Sequence, residues 1–255
     1  MVGDGTVGVI LAGGEGKRLR PLTYYFQKCM IPVGDEQKPV LEYIIRLFKY
    51  HEICDVVLLV GYKHQQVKNY FDDGSRFGVN LEYVLDEPEL KGNANALLNA
   101  YRQGALSKDD CMIIIYGDIL SGVDLQEMVS QHMDAAAAAT VALSQGFKIR
   151  VGTAEIKNGL ITRFIEKPEM DQPVSVGILV LSGLVLKEME RIHAEGHPKH
   201  LDLMGDLIPH LIERGLPVRS YITDAFWYDL GSYERYERFE NEGLSDRLSF
   251  LTDSD

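Results

Sequence analysis

VILAGGEGKRLRPLT, residues 9–23, is the stretch of this sequence that decides the fold. An apolar run leads directly into a glycine-rich loop, and a cluster of cations follows the loop. Such an arrangement is typical of a buried strand that ends in a tight turn. Glycines at the turn let backbone N–H groups approach a ligand, and those groups attract phosphate. The stretch therefore predicts a phosphate site after a strand and leaves the kind of phosphate chemistry open.

Apolar runs rich in β-branched residues alternate with helix-like segments through the first half of the chain. The strands are predicted at 7–12, 55–61, 79–85 and 111–116, and the helices at 39–51, 64–73, 93–104 and 124–133. This alternation predicts an α/β fold, with a largely parallel sheet and crossover helices. The second half favours a mixed extension of that sheet. Its strands are predicted at 138–144, 151–156, 160–165, 174–181 and 217–222, and its helices at 182–194 and 203–214.

The charge balance limits the kind of partner. Among 255 residues there are 26 Lys and Arg against 38 Asp and Glu, a net charge of −12. This balance argues against nucleic-acid binding, because phosphate backbones need a basic surface. Lys17, Arg18, Arg20 and Lys28 nevertheless face a single acid, Glu15, in the stretch between residues 15 and 28. The sequence therefore predicts a local pocket for a small anionic ligand.

The expected compartment follows from apolar content and cysteines. No apolar run approaches the roughly 20 residues of a membrane span, and the amino terminus lacks the features of a secretion signal. The three cysteines form no C-x-x-C pair, which favours reduced thiols over disulfides or a zinc site. We expect a cytoplasmic protein that does not bind membranes.

Two common phosphate loops do not match the glycine stretch. A dinucleotide-binding G-x-G-x-x-G motif would need glycine at Leu19, and a Walker loop would need glycine at Leu11 and a hydroxyl at Arg18. The remaining interpretation is a loop whose main-chain donors bind a polyphosphate, with Arg18 adding a planar guanidinium fork.

The segments LAGGEGKRLRPLT and QKCMIPVGDEQKPVLEYII resemble the amino-terminal signature of sugar-1-phosphate nucleotidyltransferases. The resemblance continues in family order through KGNANALLNA (91–100), YGD (116–118), EKP (166–168), GDLIPHLIERG (205–215) and WYDLG (227–231). It implies a Rossmann-like nucleotidyltransferase fold, a mostly parallel mixed sheet flanked by helices, in one catalytic domain at residues 1–242. We expect the tail at 243–255 to be frayed or loosely packed. Gln27 stands where the family usually has proline, and we expect this substitution to loosen the loop around Lys28.

The implied reaction joins a nucleoside triphosphate (NTP) to a sugar 1-phosphate and releases an NDP-sugar and pyrophosphate, as in nucleotide-sugar biosynthesis. The resemblance implies that Arg18 and Lys28 are catalytic, with Arg18 holding the β- and γ-phosphates and Lys28 lying between the α-phosphate and the sugar phosphate. The implied nucleotide-binding residues are Leu11, Ala12, Gly13, Gly14, Gly16, Lys17, Glu87, Gly92 and Asn93.

The resemblance also implies a Mg²⁺ cofactor. Asp118 and Asp229 are the implied metal ligands, since hard carboxylate oxygens suit this ion. The implied sugar-phosphate residues are Gly152, Glu166, Lys167 and Gly177. Strand bulges are an equally good explanation of the two glycines.

The nucleobase is predicted from Glu87, five residues before Gly92. Thymidylyl and uridylyl enzymes of the family typically carry glutamine there. A carboxylate only accepts hydrogen bonds, so Glu87 favours guanine, and GTP with mannose 1-phosphate is one expected substrate pair. The alternative is that Glu87 faces solvent and backbone groups near Gly92 read the base.

Three further alternatives concern the function, and the oligomeric state is a separate open point. The protein could be a thymidylyl- or uridylyltransferase acting on glucose 1-phosphate. It could be a regulatory homologue that binds nucleotide or sugar phosphate without catalysis. A non-sugar phosphate such as phosphocholine is a further rival substrate, and the chain could form a homo-oligomer.

Overall fold

A central sheet organises the computed structural model, which describes residues 5–87, 89–149, 151–196 and 199–252. The strands are, in chain order, β1 (Thr6–Ala12), β2 (Pro32–Val33), β3 (Lys38–Pro39), β4 (Asp55–Val60), β5 (Asn80–Leu85), β6 (Cys111–Tyr116), β7 (Ile119–Ser121), β8 (Ala139–Ser144), β9 (Thr153–Lys157), β10 (Leu160–Ile165), β11 (Val174–Ser182), β12 (Val218–Ile222) and β13 (Trp227–Asp229). Within the described ranges, seven of them form one sheet in the order β12–β8–β11–β6–β1–β4–β5. Strand β11 runs antiparallel to both of its neighbours, and the other pairs in the sheet are parallel.

Helices cover both faces of this sheet. They are α1 (Val40–Tyr50), α2 (His64–Phe71), α3 (Asn93–Arg102), α4 (Leu125–Asp134), α5 (Leu184–Ala194), α6 (Ile208–Glu213) and α7 (Tyr233–Asn241). Helices α1, α2, α4 and α7 contribute to the hydrophobic core on one face, and α3, α5 and α6 to the core on the other. A π-helix, Leu203–Leu207, leads directly into α6.

Strand β1 is apolar from Val7 onward because it lies inside the sheet. Ile10 and Ala12 belong to the core on one face, and Val9 belongs to the core on the opposite face. All three side chains are almost completely buried. Successive side chains of a strand alternate between faces, so a strand covered on both sides needs apolar residues at every position.

The structure confirms the predicted fold class, a mostly parallel mixed sheet flanked by helices. The main strands and helices agree with their predicted bounds to within a few residues. Sequence patterns did not predict the short strands β2, β3, β7 and β13, which have two or three residues each.

The expected loose packing of the carboxy-terminal tail is wrong up to Leu251. A 3-10 helix spans Leu244–Leu251 and buries Leu248 and Leu251 in the same core as α1. The apolar residues of RLSFL supply this anchor. The proposed boundary at residue 242 remains a prediction, and residues 1–4 and 253–255 of the two predicted ranges lie outside the described residues.

Strand register sets up one edge of the sheet. Ala12 pairs with Val60, and Val60 pairs with Leu85, so β1, β4 and β5 end side by side. Strand β6 ends one residue earlier than β1, since its last residue, Tyr116, pairs with Leu11. Ligands of open α/β sheets gather at the carboxyl ends of the strands, and the loops that follow these four strands meet there.

Candidate active site

A cleft of about 760 Å³ opens at the carboxyl ends of the strands, next to the glycine-rich loop. Ten residues predicted for the site line it, namely Leu11, Ala12, Gly13, Gly14, Arg18, Lys28, Glu87, Gly92, Asn93 and Asp118. The structure thus brings together residues from the loops after β1, β5 and β6 and from the start of α3. Gly16, Lys17, Asp229 and the four predicted sugar-phosphate residues are not among the residues that line the cleft.

The glycine loop packs closely against its surroundings. A Cβ at Gly16, where φ is 62°, would lie 3.0 Å from the Cβ of Lys28, so the loop touches the base of that side chain. A 3-10 helix follows at Lys17–Leu19, and Leu19 anchors it in the protein interior. Lys17 itself is exposed, and its ammonium pairs with Glu15 at 3.1 Å. Close packing at Gly16 and the buried Leu19 fix the loop on both sides.

Lys28 and Asp118 form an ion pair at the centre of the site. Lys28 begins the 3-10 helix Lys28–Met30, and Asp118 follows β6 after one intervening glycine. Both side chains are mostly buried, 19% and 16% exposed. An ion pair in such a sheltered place interacts more strongly than one on the open surface, because solvent screens it less.

Gln27 connects the Lys28 segment to the glycine loop. Its side-chain amide donates to the Ala12 carbonyl at 2.5 Å, and its side-chain oxygen accepts from the Cys29 N–H at 2.5 Å. Its own backbone N–H donates to Gln66 Oε1 at 2.7 Å, and the residue is 1% exposed. The expectation that Gln27 loosens this loop is therefore wrong, because these hydrogen bonds replace the rigidity that a proline ring would supply.

Asp229 reaches the site through the pairing of two short strands. In the antiparallel pair β7–β13, Asp229 lies opposite Ile119, and the Leu230 N–H donates to the Asp118 carbonyl at 2.9 Å. Arg235 on α7 pairs with Asp229 Oδ2. The other oxygen, Asp229 Oδ1, is buried and has no hydrogen-bond partner among the described residues.

Arg18 approaches the same corner. A Cβ at Gly231 would lie 3.3 Å from Arg18 Nη2 and 2.6 Å from Asp229 Oδ1, so the guanidinium and the carboxylate both border this glycine. The loop after β1 and the segment after β13 therefore meet here. Two cations and two carboxylates that are distant in sequence converge at the end of β6.

The prediction that Asp118 and Asp229 bind Mg²⁺ requires that the two carboxylates come from segments that meet at this corner. In the described part of the chain, no three His, Cys, Asp or Glu side chains form a cluster that could hold a metal ion. The donors at the corner are carboxylate oxygens, and one of them, Asp229 Oδ1, lacks a partner. Such a pair of acids fits Mg²⁺, which is bound through one or two carboxylates together with substrate phosphates and water.

The four predicted sugar-phosphate residues lie in two different places. Glu166 and Lys167 are exposed and follow β10, and a Cβ at Gly152 would lie 2.9 Å from Glu166 Oε2. Gly177 lies in β11 at a φ of 78°, where the register against β8 shifts, and a Cβ there would be 2.8 Å from Ile119 Cγ1. Gly177 therefore borders β7 and the Asp118 corner, whereas Glu166 and Lys167 lie outside the cleft lining.

The opposite end of the cleft is built around the start of α3. Gly92 has a φ of 94°, and a Cβ there would collide with the Leu201 carbonyl, so glycine is required. Asn93 donates to the Tyr116 hydroxyl at 2.9 Å and accepts from the Leu203 N–H at 2.6 Å. Burial raises the pKa of Tyr116, which keeps its hydroxyl protonated. Asn93 thus ties the start of α3 to the end of β6.

Sequence reasoning missed Asp86. Its carboxyl lies beside Gly13 and Gly61, where a Cβ would collide with Asp86 Oδ2 or lie 2.5 Å from it. Burial raises the pKa of Asp86 to about 6. The predicted base-reading residue, Glu87, is exposed, although it also lines the cleft. The position of Asp86 directly after β5 was the signal that could have identified it.

The fold and the cleft define an α/β domain with a glycine-rich loop and a corner of paired cations and carboxylates at the carboxyl edge of its sheet. The chain belongs to the nucleotidyl transferase family, whose model matches residues 7–245. None of the helices in the described part of the chain has the length and apolar character needed to cross a membrane.

Three similar proteins are named as a uridylyl-, a guanylyl- and a thymidylyltransferase. A UTP–glucose-1-phosphate uridylyltransferase of Synechocystis sp. is 32% identical over 242 residues, which cover 89% of this chain and 61% of that protein. A D-glycero-alpha-D-manno-heptose 1-phosphate guanylyltransferase of Aneurinibacillus thermoaerophilus is 28% identical, with coverage of 92% and 96%. The crystal structure of a Bacillus anthracis protein, named as a glucose-1-phosphate thymidylyltransferase, superposes with a TM-score of 0.72 at 25% identity and coverage of 98% and 96%. This chain therefore spans about three fifths of the length of the Synechocystis relative and nearly the whole length of the other two.

Proposed function

We propose that the protein transfers a nucleotidyl group from an NTP to a sugar 1-phosphate. A phosphate oxygen of the sugar 1-phosphate attacks the α-phosphorus, the bond from that phosphorus to the bridging oxygen breaks, and pyrophosphate leaves with the bonding electrons. The observation that carries this proposal is the convergence of Arg18, Lys28, Asp118 and Asp229 beside a glycine loop. The names of the related proteins support it.

The reaction brings two polyanions together, so its barrier is mainly electrostatic. Preorganised cations lower such a barrier, since they cancel charge without having to move during the reaction. In this proposal Lys28 lies between the α-phosphate and the sugar phosphate, held in place by Asp118. Arg18 and the backbone of the glycine loop hold the β- and γ-phosphates.

Asp118 and Asp229 would hold Mg²⁺ in this proposal, and Asp229 Oδ1, which lacks a partner, supports the assignment. Bound Mg²⁺ would neutralise phosphate charge and fix the orientation of the phosphate oxygens. The ion pairs with Lys28 and Arg235 keep the two carboxylates oriented. Glu166 and Lys167 would contribute to binding of the sugar phosphate, and Gly152 and Gly177 would let the backbone approach the sugar.

The names of the relatives differ in the base, since they include a uridylyl, a guanylyl and a thymidylyl enzyme. We assign GTP with a mannose-type 1-phosphate as the first pair to test, and UTP or dTTP with glucose 1-phosphate as the alternative. The proposed location is the cytoplasm, which the three free cysteines Cys29, Cys54 and Cys111 support. A homo-oligomer is part of the same proposal.

The test is a matrix of five NTPs against several hexose and heptose 1-phosphates, with pyrophosphate release in the presence of Mg²⁺ as the signal. We expect release with at least one pair, and loss of that release in Lys28→Ala. Lys108→Ala is a matched control, because Lys108 is an exposed cation before the amino end of β6. Nucleotide binding without turnover across the whole matrix would support the regulatory alternative.

A further inference from the structure

The inference concerns Asp86 and begins with strand register. Since β1, β4 and β5 end side by side, the first residues after them, Gly13, Gly61 and Asp86, are neighbours. Asp86 alone of the three has a side chain. A Cβ at either glycine would occupy the space around Asp86 Oδ2. The two glycines therefore leave a slot for the Asp86 carboxyl at the floor of the cleft.

The Asp86 carboxyl has unused hydrogen-bonding capacity. Lys28 pairs with Asp118 and Arg235 pairs with Asp229, but no described residue donates a hydrogen bond to the side chain of Asp86. Burial alone raises its pKa, without a contribution from a neighbouring charge. The carboxyl is half-buried and lines the cleft, so its oxygens are open to donors that a ligand in the cleft supplies.

The position of Asp86 in the sheet identifies which part of a nucleotide it meets. Asp86 follows β5 and the Lys28–Asp118 pair lies at the end of β6, three strands away in the order β6–β1–β4–β5. At the usual strand spacing this separation is about 14 Å. The same cleft is lined by Lys28 and Asp118 at one end of this distance and by Asp86 at the other, so a nucleotide with its phosphates at Lys28 has room to place its base at Asp86.

We propose that Asp86, rather than Glu87, reads the nucleobase, and that its carboxylate selects guanine. This inference rests on the proposed function and deepens it. Guanine offers two adjacent donors, N1–H and the 2-amino group, which match the two oxygens of one carboxylate. Uracil and thymine offer one N3–H flanked by carbonyl oxygens that a carboxylate repels. Adenine and cytosine place an acceptor nitrogen next to their amino group, so they match less well.

The experiment measures nucleotide binding by isothermal titration calorimetry, without sugar phosphate, for GTP, UTP, dTTP, CTP and ATP with Mg²⁺ at pH 7.5. It compares the unmodified protein with Asp86→Asn and Glu87→Gln, and Glu89→Gln is a matched control because Glu89 is exposed and does not line the cleft. We expect at least tenfold tighter binding of GTP than of UTP. Asp86→Asn should remove that preference and strengthen UTP and dTTP binding, since an amide presents one acceptor and one donor. Circular dichroism of each variant shows that it is folded.

Three results would overturn the proposal. The first is a preference for UTP or dTTP, or no base preference, in the unmodified protein. The second is loss of the GTP preference in Glu87→Gln but not in Asp86→Asn. The third is an equal loss for all five nucleotides in Asp86→Asn, which would indicate contact with the ribose. Selective GTP binding without turnover would contradict the proposed reaction and leave Asp86 as the base reader. Turnover of every NTP at equal rates would support the proposed reaction and contradict Asp86 as the base reader. Absence of nucleotide binding would contradict both the reaction and the role of Asp86.

Discussion

Asp118 and Asp229 are joined through the backbone, since the Leu230 N–H donates to the Asp118 carbonyl at 2.9 Å directly beside the β7–β13 pair. The two carboxylates come from opposite halves of the chain. A hydrogen-bonded strand pair holds them as one unit, and each is further oriented by a cation, Lys28 or Arg235. Asp229 thus lies at the end of a paired strand, and Asp118 lies in the short turn that leads into the partner strand.

Asp229→Asn tests this pair as a magnesium site. The substitution removes one negative charge and keeps the shape, so we expect the Mg²⁺ concentration for half-maximal rate to rise at least about tenfold. Magnesium titration of pyrophosphate release measures the effect. Asp134→Asn, at an exposed carboxylate at the end of α4, should leave the titration unchanged. An unchanged requirement in Asp229→Asn would show that the metal binds elsewhere.

Lys28→Ala should lower kcat by about two to three orders of magnitude, with a much smaller change in KM for the NTP. The reason is that its charge matters most when the two phosphates converge. Steady-state kinetics at saturating Mg²⁺ separates the two constants. A rise in KM alone would assign Lys28 to nucleotide binding instead.

Gln27→Ala tests the connection between the glycine loop and Lys28. The substitution removes the hydrogen bonds that Gln27 makes to the buried Ala12 carbonyl and to the Cys29 N–H. We expect this loss to lower the free energy of unfolding by about 1–3 kcal/mol. We also expect a lower kcat, since Lys28 is the next residue. Chemical denaturation and kinetics measure the two effects. Gln65→Ala, at an exposed glutamine whose side chain donates to Asn69 in its own helix, is the control and should change neither.

Asp86 should make the free protein less stable at neutral pH. Its folded-state pKa of about 6 lies above the ordinary 3.8, so its contribution to stability is present below pH 4 and is lost as the pH rises through 6. Asp86→Asn should therefore be more stable by about 1–2 kcal/mol at pH 7.5, allowing for solvent screening, and equal to the unmodified protein near pH 4. Denaturation at several pH values measures this, and a variant that is less stable at pH 7.5 would contradict it.

The same pKa predicts how base selection depends on pH. Selection of guanine needs the carboxylate, so GTP should bind more weakly as the pH falls through about 6. The other charged groups that line the cleft are Glu15, Arg18, Lys28, Glu87, Lys91 and Asp118. If they alone caused a pH effect, Asp86→Asn would retain it. Calorimetric titration of GTP at pH 5, 6 and 7.5 with both proteins distinguishes the two cases.

Leu248→Ala tests whether the tail is part of the folded domain. Leu248 is completely buried against the core that contains α1, and its truncation should cost about 2–5 kcal/mol. Asp246→Ala, at an exposed position of the same 3-10 helix, should change stability by less than about 0.5 kcal/mol. Equal stability of both variants in urea denaturation would restore the expectation of a loosely packed tail.

The sequence by itself determined the features that depend on local pattern. The apolar run at 7–12 predicted a strand, the glycines after it predicted the loop that ends the strand, and the order of the motifs predicted the family. These inferences succeed because the period of apolar residues and the backbone freedom of glycine act over a few neighbouring residues.

Tertiary structure decided which side chains meet. The residue types at 86–91 show no regular period in the sequence, and counting back from Gly92 selected Glu87, whereas the register of β1, β4 and β5 brings Asp86 to the cleft as well. The same holds for Gln27, whose effect on the loop depends on Ala12, which lies at the end of a different element. A shift of one residue along a strand reverses the direction of a side chain, and only pairing between strands fixes that shift.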